Sequence, residues 1–173
     1  MSTYTSPVPM PADDAEAPEV CREVYGMPTY LHVPTPDLAA SADFWVRGLG
    51  FVDFYTLPGQ VTHLRRWAFQ DVLLVPGEPA AGTGTGTGTP ATGIAFSCVL
   101  GQIEEIAEAC EKLVPGCVSG PEEMLWNSVE LTVVTPENTR VVMTAARPIE
   151  PGGPAETRLR EAGFDFDLPD RSA

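Results

Sequence analysis

At 173 residues the chain has room for one ordinary domain or for two half-domains sharing a core. Hydrophobic residues make up 43% of it and mean hydropathy is −0.01, which suits a packed core. The longest apolar runs, DVLLVP and GIAFSCVL, fall far short of the roughly 20 residues a membrane span needs, so no membrane partner is expected. A net charge of −14 argues against nucleic acid, whose binders carry a basic stripe, and fits either steering of cationic ligands or plain solubility.

Residues 1–26 begin with a Pro- and acid-rich stretch, MSTYTSPVPMPADDAEAPEV, expected to be disordered. No basic stretch followed by an apolar run opens the chain, so no secretion signal is expected. The four cysteines (Cys21, Cys98, Cys110 and Cys117) form no CxxC pair and have no zinc-like spacing. Reduced thiols in a cytoplasmic protein follow, with Cys98 and Cys110 buried and inert.

Residues 27–76 read as a first βαβββ module. TYLHVPT alternates like a strand; DLAASADFWVRGLG then offers Asp37 as N-cap and Leu38, Ser41, Ala42, Trp45 and Leu49 at helical spacing, with Gly50 as the stop. FVDFYTLPG, VTHLRRWAF and DVLLVPG follow as short strands joined at PG and QD turns. Residues 77–92 alternate Gly and Thr, have no apolar face and read as a linker; no Lys-Ser/Thr follows, so a phosphate-binding loop is excluded.

Residues 93–146 repeat the pattern, with IAFSCVL as strand and GQIEEIAEACEKLVPG as a helix closed by Pro115-Gly116. CVSGPEEMLW, SVELTVVTPEN and TRVVMTAA complete the second module. Residues 147–173 form a tail with a short helix from Pro154 to Ala162, after which Phe164 and Phe166 are expected to dock.

Alternation assigns faces, because successive strand side chains point opposite ways. Val129, Leu131 and Val133 make an apolar face for a helix to cover, leaving Ser128, Glu130 and Thr132 for water or ligand. Leu31 and Val33 pack inward, leaving Tyr30 and His32 on the other face. The reading is an α+β fold in which two βαβββ modules form curved mixed sheets around a central cavity.

The stretches PDLAASADFWVRGLGF and VVTPENTRVVMT, with the repeat and the linker, resemble the vicinal oxygen chelate superfamily of glyoxalase I, bleomycin-resistance proteins and extradiol dioxygenases. The first is similar to the family's D-L-x-x-S-x-x-F-Y-x-x-x-L-G-F signature. The second is similar to its DP-D/E-G-N turn, with Thr135 and Asn138 standing for the usual Asp and Gly. The resemblance covers Met27 to Ala146.

In the family's enzymes a divalent metal is held by one side chain from the first and one from the last strand of each half. The resemblance puts those positions at Tyr30, near Leu74, about Gly93 and at Val142, where no carboxylate or imidazole stands. No metal and no other cofactor is therefore expected, a divalent metal remaining the alternative. His32, two residues from the first position, reads as a ring lining a pocket, as a ligand contact, or as a general base with Glu130 as its carboxylate partner. Glu130 also reads as a solvated strand residue. In HLRRWAF, His63, Arg65 and Trp67 share one face; there Trp67 can stack on a planar ligand and Arg65 hold an anionic or carbonyl group, or the strand is half-exposed with its arginines paired to surface acids. Tyr30, Tyr55 and Trp126 are further ligand-lining residues.

The leading expectation is a metal-free protein that sequesters a planar or aromatic small molecule, as the resemblance to bleomycin-resistance proteins implies. The alternative is an enzyme of the same superfamily, a glyoxalase-like lyase or isomerase or a dioxygenase, using a metal or the His32 and Glu130 pair. A third reading is an interaction module acting through its tails. The resemblance implies homodimers that build the cavity across subunits, and a two-half chain can also close on itself.

Overall fold

The computed structural model describes residues 6–79 and 93–163. Most of the Gly/Thr-rich linker, and Phe164 and Phe166, lie outside them. The first unit runs β1 (Leu31–Thr35), α1 (Leu38–Arg47), β2 (Val52–Leu57), β3 (Val61–Arg65) and β4 (Asp71–Pro76). The second runs β5 (Gly93–Cys98), a 3-10 turn at Leu100–Gln102, α2 (Ile103–Leu113), β6 (Val118–Glu123), β7 (Ser128–Val134) and β8 (Arg140–Ala146). A final helix, α3, spans Pro154–Glu161. Among the described residues no helix is long and apolar enough to cross a membrane.

Each unit folds into its own four-stranded mixed sheet, in the orders β1-β4-β3-β2 and β5-β8-β7-β6. The first and last strands of each unit pair parallel, and the other neighbours pair antiparallel. The fold is α+β, two βαβββ modules in curved mixed sheets, as the alternation and the resemblance imply. In each unit the helix carries the chain from the first strand to the strand at the far edge of the sheet and covers one face: α1 lies on β3 and β4, and α2 on β6 and β7.

Local chemistry sets α1. The Asp37 carboxylate accepts the Ala39 and Ala40 N–H groups at 3.0 Å each, satisfying two donors the first turn leaves open. Ser41, Phe44 and Trp45 form its buried face. The helix ends at Arg47, earlier than the Gly50 stop, and Gly48 takes the cap with its N–H on the Phe44 carbonyl. A Cβ at Gly48 would lie 2.7 Å from the Phe44 oxygen and 3.0 Å from Cys110 Sγ, so the bare backbone is what lets α1 lie against α2.

The two halves meet through their helix-covered sides. One buried cluster takes Val33, Phe44, Trp45, Leu64 and Leu74 from the first half and Phe96, Cys110, Leu131, Val133 and Met143 from the second. Phe96 of β5 sits edge-on to Phe51 (5.2 Å) and Trp45 (6.4 Å). Two buried polar groups pin the joint. Glu137, 4% exposed in the turn before β8, accepts Trp45 Nε1 at 2.6 Å and Ser41 Oγ at 3.0 Å. Ser41 gives its one hydroxyl hydrogen to that carboxylate, so in its 2.7 Å contact with Thr35 it accepts.

In the opposite sense, Arg66, 2% exposed, donates to the Ser97 carbonyl at 2.6 Å and to Gln102 Oε1 at 2.6 Å. Burial pushes the Arg66 guanidinium down to about 10, so it stays charged at neutral pH. Asn138 holds φ +58 in the same turn as Glu137, a left-handed conformation that Asn tolerates in place of the family's Gly.

Residues 6–30 form neither helix nor strand. Although residues 1–26 read as disordered, the described part lies against the sheets, with the Cys21 and Glu23 carbonyls accepting from Arg65. A small cavity of about 90 Å³ separates residues 8–15 from Ser97, Thr144 and Ala146 of the second sheet.

Truncating the joint should show in stability. Glu137→Ala strands the Trp45 N–H and the Ser41 hydroxyl and is expected to cost about 2–4 kcal/mol in urea unfolding, with Glu137→Gln, which keeps one acceptor, costing less. The thiols supply a second check. Cys98, Cys110 and Cys117 are buried and Cys21 is partly open, so a disulfide reagent should titrate Cys21 first in the native protein and all four only on unfolding. Burial pushes Cys98 up to about 11 and Cys110 up to about 12 from 9.0. The stability these protonated thiols contribute is fully present below pH 9 and is lost as pH climbs from 9 through 11 to 12, so melting temperature should fall between pH 9 and 12, and less steeply in Cys110→Ala.

Candidate functional site

The faces not covered by helices carry the polar and aromatic side chains. In the first sheet, register sets a row across four strands: His32 of β1 opposite Leu73 of β4, Leu73 opposite His63 of β3, and His63 opposite Tyr55 of β2. His32 and His63 thus flank Leu73 two strands apart, about 10 Å at ordinary strand spacing. Two pairs further along, and so on the same face, Arg65 of β3 stands opposite Asp71 of β4.

Asp71 is the focus of this face. Its side chain is wholly buried, and Oδ1 lies 2.7 Å from both Arg65 Nε and His63 Nε2. Oδ2 accepts the Tyr25 hydroxyl at 2.8 Å. An ionised carboxylate only accepts, so His63 must carry its hydrogen on Nε2. That leaves Nδ1 of the neutral ring with a lone pair, and Nδ1 has no hydrogen-bond partner among the described residues. The His63 ring leans on Phe54 at 5.1 Å, and its side chain keeps 14% exposure. This is the geometry of an imidazole oriented by a buried acid, able to accept a proton or a hydrogen bond from a molecule on the open face.

Arg65 lies between two rings, Tyr25 at 4.2 Å and Phe54 at 4.1 Å, and its Nη1 donates to the Glu23 and Cys21 carbonyls at 2.7 and 3.3 Å. At 1% exposure it organises the site from beneath. Burial raises the Tyr25 phenol above its ordinary value; the Phe69 N–H opposes the rise and Asp71 adds to it. Tyr25 stays a neutral donor at neutral pH.

The residues singled out in the sequence divide sharply. Tyr30 (49% exposed), Tyr55 (59%) and His32 are open to solvent on the first sheet's side, and His32 makes no hydrogen bond among the described residues. Trp126, 64% exposed in the turn before β7, donates Nε1 to Glu130 Oε1 at 2.8 Å. Glu130 also accepts from Ser128 at 3.3 Å and Thr144 at 3.5 Å, and has Glu122 as its cross-strand neighbour. His32 and Glu130 stand in different sheets and share no hydrogen bond.

The shared face for His63, Arg65 and Trp67 is corrected. β3 ends at Arg65, and Trp67 is 2% exposed in the loop beyond, with the Arg66 guanidinium 4.7 Å over its ring. The loop bends back to β4, so an expected strand of HLRRWAF is cut at its middle. Sequence reasoning missed Asp71 and Tyr25. Gln70-Asp71 reads as a turn, and only the β3–β4 register reveals that Asp71 opens the strand opposite Arg65. Tyr25 was hidden in a segment with no periodic pattern.

The donors do not fit a divalent metal. Leu74, implied as a ligand position, faces the covered side, paired with Val33 and Thr62; Leu73 takes the open-face place. Val142 stands between Ala95 and Thr132, and Gly93 pairs with Arg140. Among the described residues no three His, Cys, Asp or Glu side chains gather.

No family model and no curated protein matches the sequence. Solved structures do resemble it in fold. The fosfomycin resistance protein FosX from Mesorhizobium loti superposes with TM-score 0.53 at 15% identity, over 79% of this chain and 99% of that one. TioX from Micromonospora sp. ML1 gives 0.53 at 17%, over 69% and 98%. A bleomycin-binding protein complexed with bleomycin gives 0.50 at 16%, also over 69% and 98%. The chain has the fold of the vicinal oxygen chelate superfamily.

Proposed function

We propose that the protein binds a planar or aromatic small molecule, without a metal, against the open face of its first sheet. The carrying observation is the row His32, Leu73, His63 and Tyr55: an apolar floor with aromatic rings beside it and one imidazole pre-oriented by Asp71. Rings supply stacking area, and the free Nδ1 of His63 supplies one directional polar contact, which is the usual make-up of a small-molecule site. Trp126 and Glu130 offer a second aromatic and polar pair on the other sheet. Sequestration, as opposed to turnover, is supported by the donor set, which assembles no metal centre among the described residues.

One observation favours an enzyme as the second reading. The Asp71 and His63 dyad is the arrangement a general base needs, and this reading uses it in place of the His32 and Glu130 pair, which stand in different sheets. A proton taken by Nδ1 would leave an imidazolium stabilised by Asp71.

Binding and turnover separate in one experiment. Protein treated with EDTA is titrated with a panel of planar aromatics, together with bleomycin, which a protein of this fold holds in complex. Calorimetry reports binding, and chromatography reports the fate of the compound. One-to-one retention of unchanged compound is expected, with His63→Ala weakening it about tenfold, the loss of one good hydrogen bond. Conversion that His63→Ala abolishes would establish the catalytic reading, and metal-dependent binding would refute the proposal.

A further inference from the structure

The N-terminal segment occupies part of the face to which a ligand is assigned, and the way Tyr25 sits there is informative. The ring lies 4.2 Å from the Arg65 guanidinium and edge-on to Phe69 at 5.1 Å. Its hydroxyl donates to Asp71 Oδ2 at 2.8 Å and accepts the Phe69 N–H at 2.8 Å. Every feature of a phenol is matched: the π face by a cation, the O–H by a carboxylate, the oxygen lone pair by an amide. Phe69 holds φ +67, an unfavourable conformation for an aromatic residue, and its N–H in that conformation reaches the hydroxyl.

The rest of the segment is lightly held. From residue 6 to 30 the only backbone–backbone hydrogen bond among the described residues is the local one from Ala15 to Ala12. Val24, beside Tyr25, is 93% exposed, and Arg22 is exposed as well. The anchor is therefore Tyr25 together with the two carbonyls on Arg65, and nothing in a sheet ladder must break for it to lift.

We propose that Tyr25 is an internal occupant of a phenol-recognising subsite formed by Arg65, Asp71 and the Phe69 N–H, and that a free hydroxylated aromatic ring binds there by displacing the N-terminal segment. This rests on the reading of the first sheet's open face as a small-molecule site, and names the ligand class. Displacement frees Arg65 Nη1 from Cys21 and Glu23 and uncovers the floor beside His63. Affinity of the intact chain for such a ligand is lowered by the fraction of time the segment stays seated.

The test uses p-cresol and toluene, which differ by the hydroxyl, against the full chain, Tyr25→Ala and Tyr25→Phe. Calorimetry and ligand-observed NMR are expected to show saturable p-cresol binding by Tyr25→Ala. Toluene should bind that variant at least tenfold more weakly, and so should p-cresol the full chain. Addition of Asp71→Asn to Tyr25→Ala, which replaces the charged acceptor with a neutral one, should reduce the hydroxyl preference. In the full chain, saturating p-cresol should speed tryptic cleavage after Arg22 several-fold.

Equal binding of p-cresol and toluene by Tyr25→Ala, or equal p-cresol binding by variant and full chain, overturns the proposal. Tyr25→Phe keeps the ring and so guards against a misfolded alanine variant: it should cleave several-fold faster after Arg22, and an unchanged rate also overturns the proposal. Aromatics that bind with sensitivity to His63→Ala but no hydroxyl preference leave the broader reading of the face standing while refuting this one. A hydroxyl preference in Tyr25→Ala, with no compound of the wider panel bound by the full chain, supports the subsite and refutes the broader reading.

Discussion

A buried carboxylate with both its donors in the other half of the molecule holds this structure together. Glu137 lies in the turn before the last strand of the second sheet, yet Trp45 and Ser41, its partners, belong to the first helix. A carboxylate at 4% exposure is tolerable only with its donors in place, so the first helix must lie where Trp45 can reach it. Arg66 repeats the device in the other direction, on the Ser97 carbonyl and Gln102. Among the described residues no strand of one sheet pairs with a strand of the other, so the joint depends on these contacts and on the ring packing of Trp45, Phe51 and Phe96. With the helix-covered sides turned to each other, the uncovered faces are left for solvent, ligand and the N-terminal segment.

The same physics operates at Asp71 with a different outcome. Three donors converge on its carboxylate, and two of them are only partly enclosed: Tyr25 from the N-terminal segment, and His63 with part of its ring open. Glu137 spends its bonds on cohesion, whereas Asp71 orients an imidazole and seats a removable phenol. Second-row support of this kind is what makes a side chain useful in binding or proton transfer, because geometry is fixed before the ligand arrives. Glu130 on the other sheet is organised more loosely, through Trp126, Ser128 and Thr144, with exposure enough for water to compete.

Much of the fold was legible because its signals are local. Asp37 before an amphipathic run marks a helix start through the N–H groups it satisfies, and the alternation of Val129, Leu131 and Val133 marks a covered face because strand side chains alternate. Signals failed where locality failed. DVLLVP is apolar on both faces, so nothing in it says whether Leu73 or Leu74 looks outward; pairing with His63 and His32 decides that. HLRRWAF alternates well enough to extend a strand past Arg65, but the chain turns there so that Arg66 can reach the second half and Trp67 can be buried. His63 and Arg65 were found by their position on one face. Their partner Asp71 was not, since a carboxylate at a strand start resembles one in a turn.

By itself the sequence determined the elements, their repeated order and the sidedness of most strands, because these follow from residue propensities and periodicities within a dozen positions. Only the tertiary structure decided which polar groups meet. The pairing of Glu137 with Trp45 spans 92 positions and that of Tyr25 with Asp71 spans 46. Contacts of that range depend on sheet register and on how two separately folded sheets are joined, and a buried charge has no local pattern that names its distant donors.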